Sequence, residues 1–154
     1  MGAWVERNAG WLIALVVLAL LGAVAWTIIF SWQRSTTVRL GDAVVSAEIA
    51  STKETRDKGL SQRTKLAENN GLLLVYDREG SWGVWMKEMK IPIDIVWLNE
   101  KKQVVHITKN VYPSTYPDVF KPSKPAKYIL ELAAGVVKDT HIRINQTAHF
   151  DLPR

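Results

Sequence analysis

The chain has 154 residues, in which 20 Lys and Arg outnumber 15 Asp and Glu, so the formal net charge is +5. It contains no cysteine, which excludes disulfides, thiol nucleophiles and thiolate metal sites. The basic residues form neither a continuous run nor a stripe interleaved with aromatic residues, so we expect no nucleic-acid partner.

The N-terminal segment Trp11–Trp32 predicts a single transmembrane helix. No charged residue occurs between Asn8 and Gln33, and about 20 apolar residues suffice to cross a bilayer as a helix. In a helix the two terminal tryptophans would lie roughly 32 Å apart, which is typical of aromatic residues at both interfaces. The run is longer than the apolar core of a signal peptide, and no A-x-A-like cleavage site follows it. We therefore expect a tail (1–10), a membrane anchor (11–32), a linker (33–37) and a domain (38–152).

The charges beside this anchor leave its orientation open. Arg7 and the α-amine are offset by Glu6, whereas Arg34 and Arg39 follow the anchor. Taken literally, the positive-inside rule leans slightly toward a cytoplasmic domain. Because short-tailed N-terminal anchors often carry exported domains, we nevertheless expect the domain to be extracytoplasmic.

Beyond the anchor, short β-like runs alternate with turns. Val38–Ala50 predicts a hairpin that turns at Gly41-Asp42. Thr52 is a candidate cap for a short helix that ends at Gly59, and another short helix or turn is expected over Ala133–Asp139. Further strands are predicted over Gly71–Tyr76, Trp82–Met86, Asp94–Leu98, Gln103–Thr108, Lys127–Leu132 and Ile142–Leu152, with turns at Asp77–Gly80 and Asn99–Lys102.

These runs predict a mostly β (α+β) fold, namely a small antiparallel, barrel-like domain of about seven to nine strands with one or two short helices. The last strand is expected to close the sheet. Tyr112–Ala126 contains four prolines, so it predicts a loop. A loop of about 15 residues is either functional or a crossover that covers one end of the barrel.

Two carboxylates interrupt otherwise apolar strands. Alternation places Asp94 on the face of Val96 and Leu98, and it places Glu131 on the face of Ile129. A buried carboxylate without a partner costs several kcal/mol, roughly. We therefore expect both acids to be paired.

The candidate partners are Arg56 and Arg63 in the polar turn and Lys87 at a strand end. An arginine suits a bidentate contact with a carboxylate, so we predict that Asp94 contacts Arg56 or Arg63 and holds the Thr52–Arg63 segment on the sheet. Three interpretations remain open for the polar residues Arg56, Arg63, Lys87, Asp94 and Glu131. They form an internal ion-pair cluster, or they line a polar site for a small polar or anionic ligand. In the third interpretation, the two carboxylates work as acid and base, as in a glycosidase.

Catalytic signals are weak. His106, His141 and His149 lack the spacing of metal ligands, and no nucleophile motif or phosphate-binding loop occurs. No cofactor, metal or catalytic residue is therefore predicted, and whether the chain is an enzyme stays open. The function that we expect is that of a membrane-anchored extracytoplasmic module, either a small-ligand-binding domain or an accessory or interaction domain. The alternative is a hydrolase that uses Asp94 or Glu131 with His106.

Four motifs in order resemble the bacterial and archaeal family called domain of unknown function 192. They are Thr55-Arg56-x-x-Gly59-Leu60-x-x-Arg63, Gly71-Leu-Leu-Leu-Val-Tyr76, Trp85-Met86-Lys87 with Ile91-Pro92-Ile93-Asp94-Ile95, and Tyr128-Ile-Leu-Glu131-Leu-x-x-Gly135. The resemblance covers roughly Val38–Phe150. It implies a compact β-rich domain, often behind a signal peptide or anchor, and it does not imply a reaction.

The resemblance also points to residues that shape the fold, which are Gly59, Gly71, Trp85, Met86, Pro92 and Gly135. Two departures occur. Glu88-Met89 stands where the family typically has Asn-Thr, and Ala133-Ala134 stands where it often has proline. The expected partners are the membrane through Trp11–Trp32, a small polar or anionic ligand, and an envelope protein that would contact Trp82 and the proline-rich loop.

Overall fold

The computed structural model describes residues 14–21 and 35–153, in two units. Residues 14–21 form helix α1 of the first unit. Within the described ranges, no helix is long and apolar enough to cross a membrane. The predicted tail, residues 11–13 and 22–32 of the predicted anchor, and residues 33–34 of the linker lie outside the described residues. The transmembrane helix therefore stays a prediction.

The second unit contains eight strands and two short helices. The strands are β1 (Ser35–Leu40), β2 (Ala43–Ala50), β3 (Asn70–Gly80), β4 (Val84–Trp85), β5 (Ile93–Leu98), β6 (Val104–Val111), β7 (Val119–Phe120) and β8 (Ala126–Ala133). The helices are α2 (Lys53–Lys58) and α3 (Val136–Asp139), with a 3-10 turn at Pro113–Thr115. Six strands form one sheet in the order β1-β2-β3-β8-β5-β6, and β4 pairs with β7 in a separate ribbon.

The expectation of a mostly β domain is confirmed, but that of an antiparallel barrel is wrong. β2 and β3 pair in parallel, because residues 51–69, which include α2, return the chain to the same end of the sheet. β1 and β6 remain the edge strands of an open, mixed sheet.

The predicted last strand, Ile142–Leu152, is also corrected. Instead of pairing along a whole edge, this segment makes isolated bridges to both edges. Arg39 and His149 exchange two backbone hydrogen bonds of 2.9 Å, while Thr147 bridges Gln103 just before β6. The C-terminal segment thus contacts both ends of the strand order.

The sequence near the start of the domain correctly predicts a hairpin and the two ends of a short helix. β1 and β2 form the expected hairpin, although β1 begins at Ser35, inside the predicted linker. Thr52 caps α2 with a reciprocal capping box to Thr55, and Gly59 ends the helix. By contrast, the turn predicted at Asp77–Gly80 is wrong, because β3 continues to Gly80.

The sheet buries a hydrophobic core on each face. One core contains Leu130, Leu132 and Val96 and extends to Val136 and Val137 of α3. The other contains Trp97, Ile95 and Ile129 and extends to Leu60, Val84 and Met86. Consequently, the buried apolar side chains of the central strands belong to one core or the other, according to their position in the alternation.

Gly71 permits the close approach of two central strands. A Cβ atom there would lie 2.9 Å from the carbonyl oxygen of Glu131 and 3.0 Å from Cγ1 of Val45. Backbone cannot easily yield at such distances, so only glycine fits without a shift of β3 away from β8. Gly71 therefore helps to hold Glu131 at its place in the sheet.

Candidate functional site

Asp94 is completely buried, and its partners are backbone amides. Its Oδ1 accepts a hydrogen bond from the Asn110 N–H at 2.7 Å. Its Oδ2 accepts from the N–H groups of Gly135 at 3.0 Å and Val137 at 2.9 Å. The predicted contact with Arg56 or Arg63 is therefore wrong.

These donors explain why no cation is needed. Gly135 is the N-cap residue of α3, with φ of 99°, and the Asp94 carboxylate satisfies N–H groups that the first turn of a helix leaves unpaired. Glycine adopts this positive φ without the strain that a side chain would cause. Asp94 thus fastens α3 and the end of β6 to the sheet.

Arg63 has a different acid as its partner. Its two terminal nitrogens donate to the two carboxylate oxygens of Glu48, at 2.7 Å and 2.5 Å. This fork-to-fork pair joins the segment after α2 to β2. The Thr52–Arg63 segment is therefore held to the sheet by an arginine–carboxylate pair, as expected, but the acid is Glu48.

Glu131 lies on the opposite face of the sheet from Asp94. In the pairing of β5 with β8, Asp94 is opposite Leu132, and Glu131 is opposite Ile95. Because successive side chains of a strand point to opposite faces, the two carboxyl groups are separated by the sheet. The predicted face of each acid is confirmed, and a mechanism that uses Asp94 and Glu131 together as acid and base is excluded.

Burial dominates the electrostatics of Glu131. Its side chain is 4% exposed, and loss of hydration raises the pKa of the carboxyl group to about 7, against a smaller lowering by the charge of Arg63. No hydrogen bond from a described residue supports the carboxylate form. Near neutral pH, Glu131 is therefore a mixture of acid and carboxylate with unused hydrogen-bonding capacity.

This carboxyl group faces a pocket of about 320 Å³. The walls come from the C-terminal half of α2, from β3, from the β4–β7 ribbon and from the start of β5. The lining residues are Arg56, Asp57, Lys58, Gly59, Leu60, Ser61, Leu74, Tyr76, Gly83, Val84, Trp85, Met89, Ile93, Val119, Lys121 and Glu131. We call this space the Glu131 pocket.

Gly59 brings the end of α2 close to the acid. Its φ is 51°, and a Cβ atom built there would lie 3.8 Å from Oε2 of Glu131. A glycine at this position both allows the positive φ and leaves the space beside the carboxyl group open. The motif glycine therefore shapes the Glu131 pocket as well as the helix end.

Arg56 forms part of the wall through a layered stack. Its guanidinium group lies over the Tyr76 ring, 4.7 Å from the centroid, and Tyr76 stacks on Trp82 at 4.3 Å. Nη1 of Arg56 also donates to the carbonyl oxygens of Ser51 at 2.5 Å and Val75 at 2.9 Å. These contacts fix the arginine and leave its positive charge at the edge of the pocket.

Lys87 does not line the pocket. Its Nζ lies 5.9 Å from the centroid of the Trp85 ring, and its backbone carbonyl accepts a hydrogen bond from Ser61 Oγ at 3.0 Å. The neighbouring Gln62 N–H donates to the carbonyl of Glu88 at 3.0 Å. These bonds link the segment after α2 to the segment after β4.

The remaining predicted residues have varied places. Met86 is buried in the core beneath the pocket, Pro92 is half-buried between β4 and β5, and Trp85 is 47% exposed at the pocket. Of the five predicted polar-site residues, Arg56 and Glu131 line the same pocket. Arg63 is near enough to affect the pKa of Glu131, whereas Asp94 lies on the other face.

His106 forms a hydrogen bond with neither Asp94 nor Glu131. Its Nδ1 is 3.3 Å from the Ser123 hydroxyl and its Nε2 is 3.4 Å from the Thr108 hydroxyl. It does not line the Glu131 pocket. Across the described ranges, no group of three or more His, Cys, Asp or Glu residues has an arrangement that could hold a metal ion.

Several pocket residues were missed by sequence reasoning. Met89, Val119 and Lys121 carry no local signal of a site, and Tyr76 reads as the end of an apolar strand. The proline-rich loop was one useful indication, because it supplies Val119 and Lys121 through β7 and the residue after it. β4 and β7 are only two residues long each, too short to be identified from periodicity.

Comparisons with solved structures agree with this architecture. A crystal structure described as a "putative transcription regulator" from Sinorhizobium meliloti 1021 has a TM-score of 0.73 and 24% identity, covering 77% of this chain and 95% of that one. A protein of unknown function from Novosphingobium aromaticivorans DSM 12444 has a TM-score of 0.69 and 24% identity, covering 75% of this chain and 83% of that one. At this identity, the likeness concerns the fold alone.

The family comparison is more direct. No curated protein sequence matched the chain. The domain of unknown function 192 (DUF192, "Uncharacterized ACR") matches residues 36–150, a span that includes the Glu131 pocket, the Asp94 contacts and all eight strands except the first residue of β1. Since this match extends over well more than half of the sequence, the chain belongs to the DUF192 family.

Proposed function

We propose that this protein is a membrane-anchored, extracytoplasmic module that binds a small polar ligand in the Glu131 pocket. The observation that carries the proposal is the state of Glu131. It is buried, it lines a pocket, and no described residue hydrogen-bonds its carboxyl group. No fully enclosed side-chain oxygen or nitrogen of the described residues lacks a partner, so the Glu131 oxygens reach the open space of the pocket. A ligand that enters the pocket would supply the hydrogen bond that the protein itself does not.

The other acid supports this assignment by contrast. Asp94 is equally buried, yet its oxygens accept three backbone hydrogen bonds from Asn110, Gly135 and Val137. A carboxylate that serves only the fold is thus fully satisfied in this domain. Glu131 differs in having open space in front of it.

Geometry does not favour the hydrolase alternative. Asp94 and Glu131 point to opposite faces of the sheet, and His106 contacts Ser123 and Thr108. A general acid–base mechanism needs its groups within hydrogen-bond reach of one substrate. Binding without a paired catalytic group is therefore the function that we propose.

The binding proposal predicts that replacement of Glu131 weakens ligand affinity. Small polar and anionic fragments are screened against the full chain in detergent micelles by ligand-observed NMR. For fragments that bind, Glu131→Met should weaken affinity at least about tenfold, because it removes the hydrogen-bonding group at similar volume. Glu100→Met is the matched control, since Glu100 pairs with Lys127 at the surface. Equal affinities in wild type and Glu131→Met would contradict the proposal.

Anchoring is supported by the sequence of residues 11–32 and by exposed side chains of α1. Leu15, Leu18 and Leu20 are each more than half exposed, and such an apolar surface favours a lipid environment. The chain lacks cysteine, so single cysteines can report the orientation.

A membrane-impermeant maleimide should label Asp118→Cys in intact bacterial cells. It should label Gly2→Cys only after the cells are permeabilised, because the tail would lie on the cytoplasmic side. The membrane fraction should retain the full chain. The reverse labelling pattern would contradict the extracytoplasmic orientation, and recovery of the full chain in the soluble fraction would contradict anchoring.

A further inference from the structure

Building on the proposed binding function, we propose that the Glu131 pocket receives one neutral sugar ring. Ring hydroxyls would contact Glu131, and the C–H face of the ring would pack against Trp85. This inference names the chemical class of the ligand and depends on the pocket being a binding site.

The size of the pocket favours a single ring. Its volume of about 320 Å³ is at the lower end of the range of about 300–1,000 Å³ that is usual for ligand pockets. A ring-sized molecule fits this space, whereas a chain of several rings would extend into solvent. The pocket therefore suits a monosaccharide or the terminal ring of a longer glycan.

The state of Glu131 favours hydroxyl groups. A hydroxyl can both donate and accept a hydrogen bond, so it can pair with Glu131 as an acid or as a carboxylate. A ligand carboxylate would pair with Glu131 only in the acid form, and a ligand ammonium would pair best with the ionised form. Of the three groups, only the hydroxyl can donate to the carboxylate form and both donate to and accept from the acid form.

The charges around the pocket argue against an ammonium ligand. Arg56, Lys58 and Lys121 line the pocket with only Asp57 and Glu131 as opposing acids. A cation would be repelled by the excess positive charge. Hydroxyls, in contrast, can donate to a carboxylate such as Asp57 or accept from an ammonium such as Lys121.

The remaining walls suit the apolar face of a sugar ring. Leu74, Val84 and Ile93 line the interior, and all three are buried. At the mouth, Trp85 is 47% exposed and its strand partner Val119 is 50% exposed. Covering this flat apolar surface with C–H groups removes it from water, which favours binding.

The test compares three ligands that share one ring and differ in charge, namely glucose, glucosamine and glucuronate. N-acetylglucosamine and galactose extend the neutral set. The full chain is studied by saturation-transfer NMR titration in a zwitterionic detergent, because the head group of an alkyl glycoside would compete. At least one neutral sugar should bind about tenfold more tightly than both charged analogues.

Two variants locate the contact. Trp85→Ala and Glu131→Met should each weaken binding of the neutral sugar about tenfold or more. Tyr112→Ala and Glu100→Met are the matched controls and should leave affinity unchanged, since Tyr112 is an exposed aromatic residue outside the pocket and Glu100 is at the surface.

The outcomes separate this inference from the binding function. If sugars fail to bind, or a charged analogue binds more tightly, while other fragments bind in a Glu131-dependent way, the sugar assignment is overturned and the binding module stands. If sugars bind equally well to Trp85→Ala and Glu131→Met, the assignment to this pocket is overturned. If neither sugars nor fragments bind, both proposals fail.

Discussion

Glu131→Gln should raise the free energy of unfolding by about 3 kcal/mol at about pH 8 and leave it nearly unchanged at about pH 4. The pKa of Glu131 is raised from 4.5 to about 7 in the folded protein because the carboxyl group is buried. Between these two values the folded state binds more protons than the unfolded state does. The contribution of Glu131 to stability is therefore complete below its unfolded pKa and is lost as the pH rises through the folded pKa.

Glutamine is neutral at every pH and nearly the same shape, so it avoids this loss. The measurement is urea unfolding of both proteins at several pH values between about 4 and 8, compared as a difference so that the other titrating groups cancel. Glu100→Gln is the control: Glu100 is exposed, and a hydrogen bond from Lys127 lowers its pKa, so any pH dependence should have the opposite sign. A difference between Glu131→Gln and wild type that is constant with pH would contradict the burial argument.

Asp94→Asn should destabilise the protein by about 4 kcal/mol, since it disturbs three buried hydrogen bonds at once. An asparagine can direct its oxygen toward Gly135 and Val137 or toward Asn110. In either orientation, its NH₂ group faces a backbone N–H on the other side, so two hydrogen-bond donors oppose each other. The structural consequence should be a loosened α3 and a loosened end of β6.

Urea unfolding gives the free energy, and amide hydrogen exchange gives the location. Exchange should accelerate most at the three amides that Asp94 accepts from, while amides of the β1–β2 hairpin change only as much as global stability requires. Asp118→Asn is the matched control because Asp118 is exposed. Stability equal to wild type in Asp94→Asn would show that these bonds contribute little.

Sequence reasoning succeeded where the determining interactions are local. Alternation assigned Asp94 and Glu131 to their faces because the period of a strand depends only on its own backbone. The Thr52 cap and the helix end at Gly59 follow from residues within one turn of the helix. The Gly41-Asp42 hairpin is likewise a short-range feature.

Partner identities were not predictable in the same way. Glu48 is 15 residues from Arg63, and nothing in the alternation of β2 marks it as a partner. The donors to Asp94 are backbone amides 16 to 43 residues away, and backbone groups have no sequence signature. The expectation of an arginine partner considered only charged side chains, and for that reason it failed.

The sheet order was missed because it depends on long-range pairing. Seeing that β3 lies parallel to β2 requires knowing that residues 51–69 act as a crossover. Similarly, the pocket depends on β4 and β7, whose pairing brings Val119 beside Trp85. Only the three-dimensional arrangement joins the end of α2, the ribbon and Glu131 around one space.

The opposite placement of the two buried acids has a consequence for how this domain can diversify. Asp94 maintains the fold from one side of the sheet, and Glu131 faces the pocket from the other. Substitutions around the pocket can therefore accumulate without disturbing the amide contacts that hold α3. A designer, or natural selection, can change exposed pocket residues such as Val119 and Lys121, while Asp94 keeps α3 and the end of β6 in place.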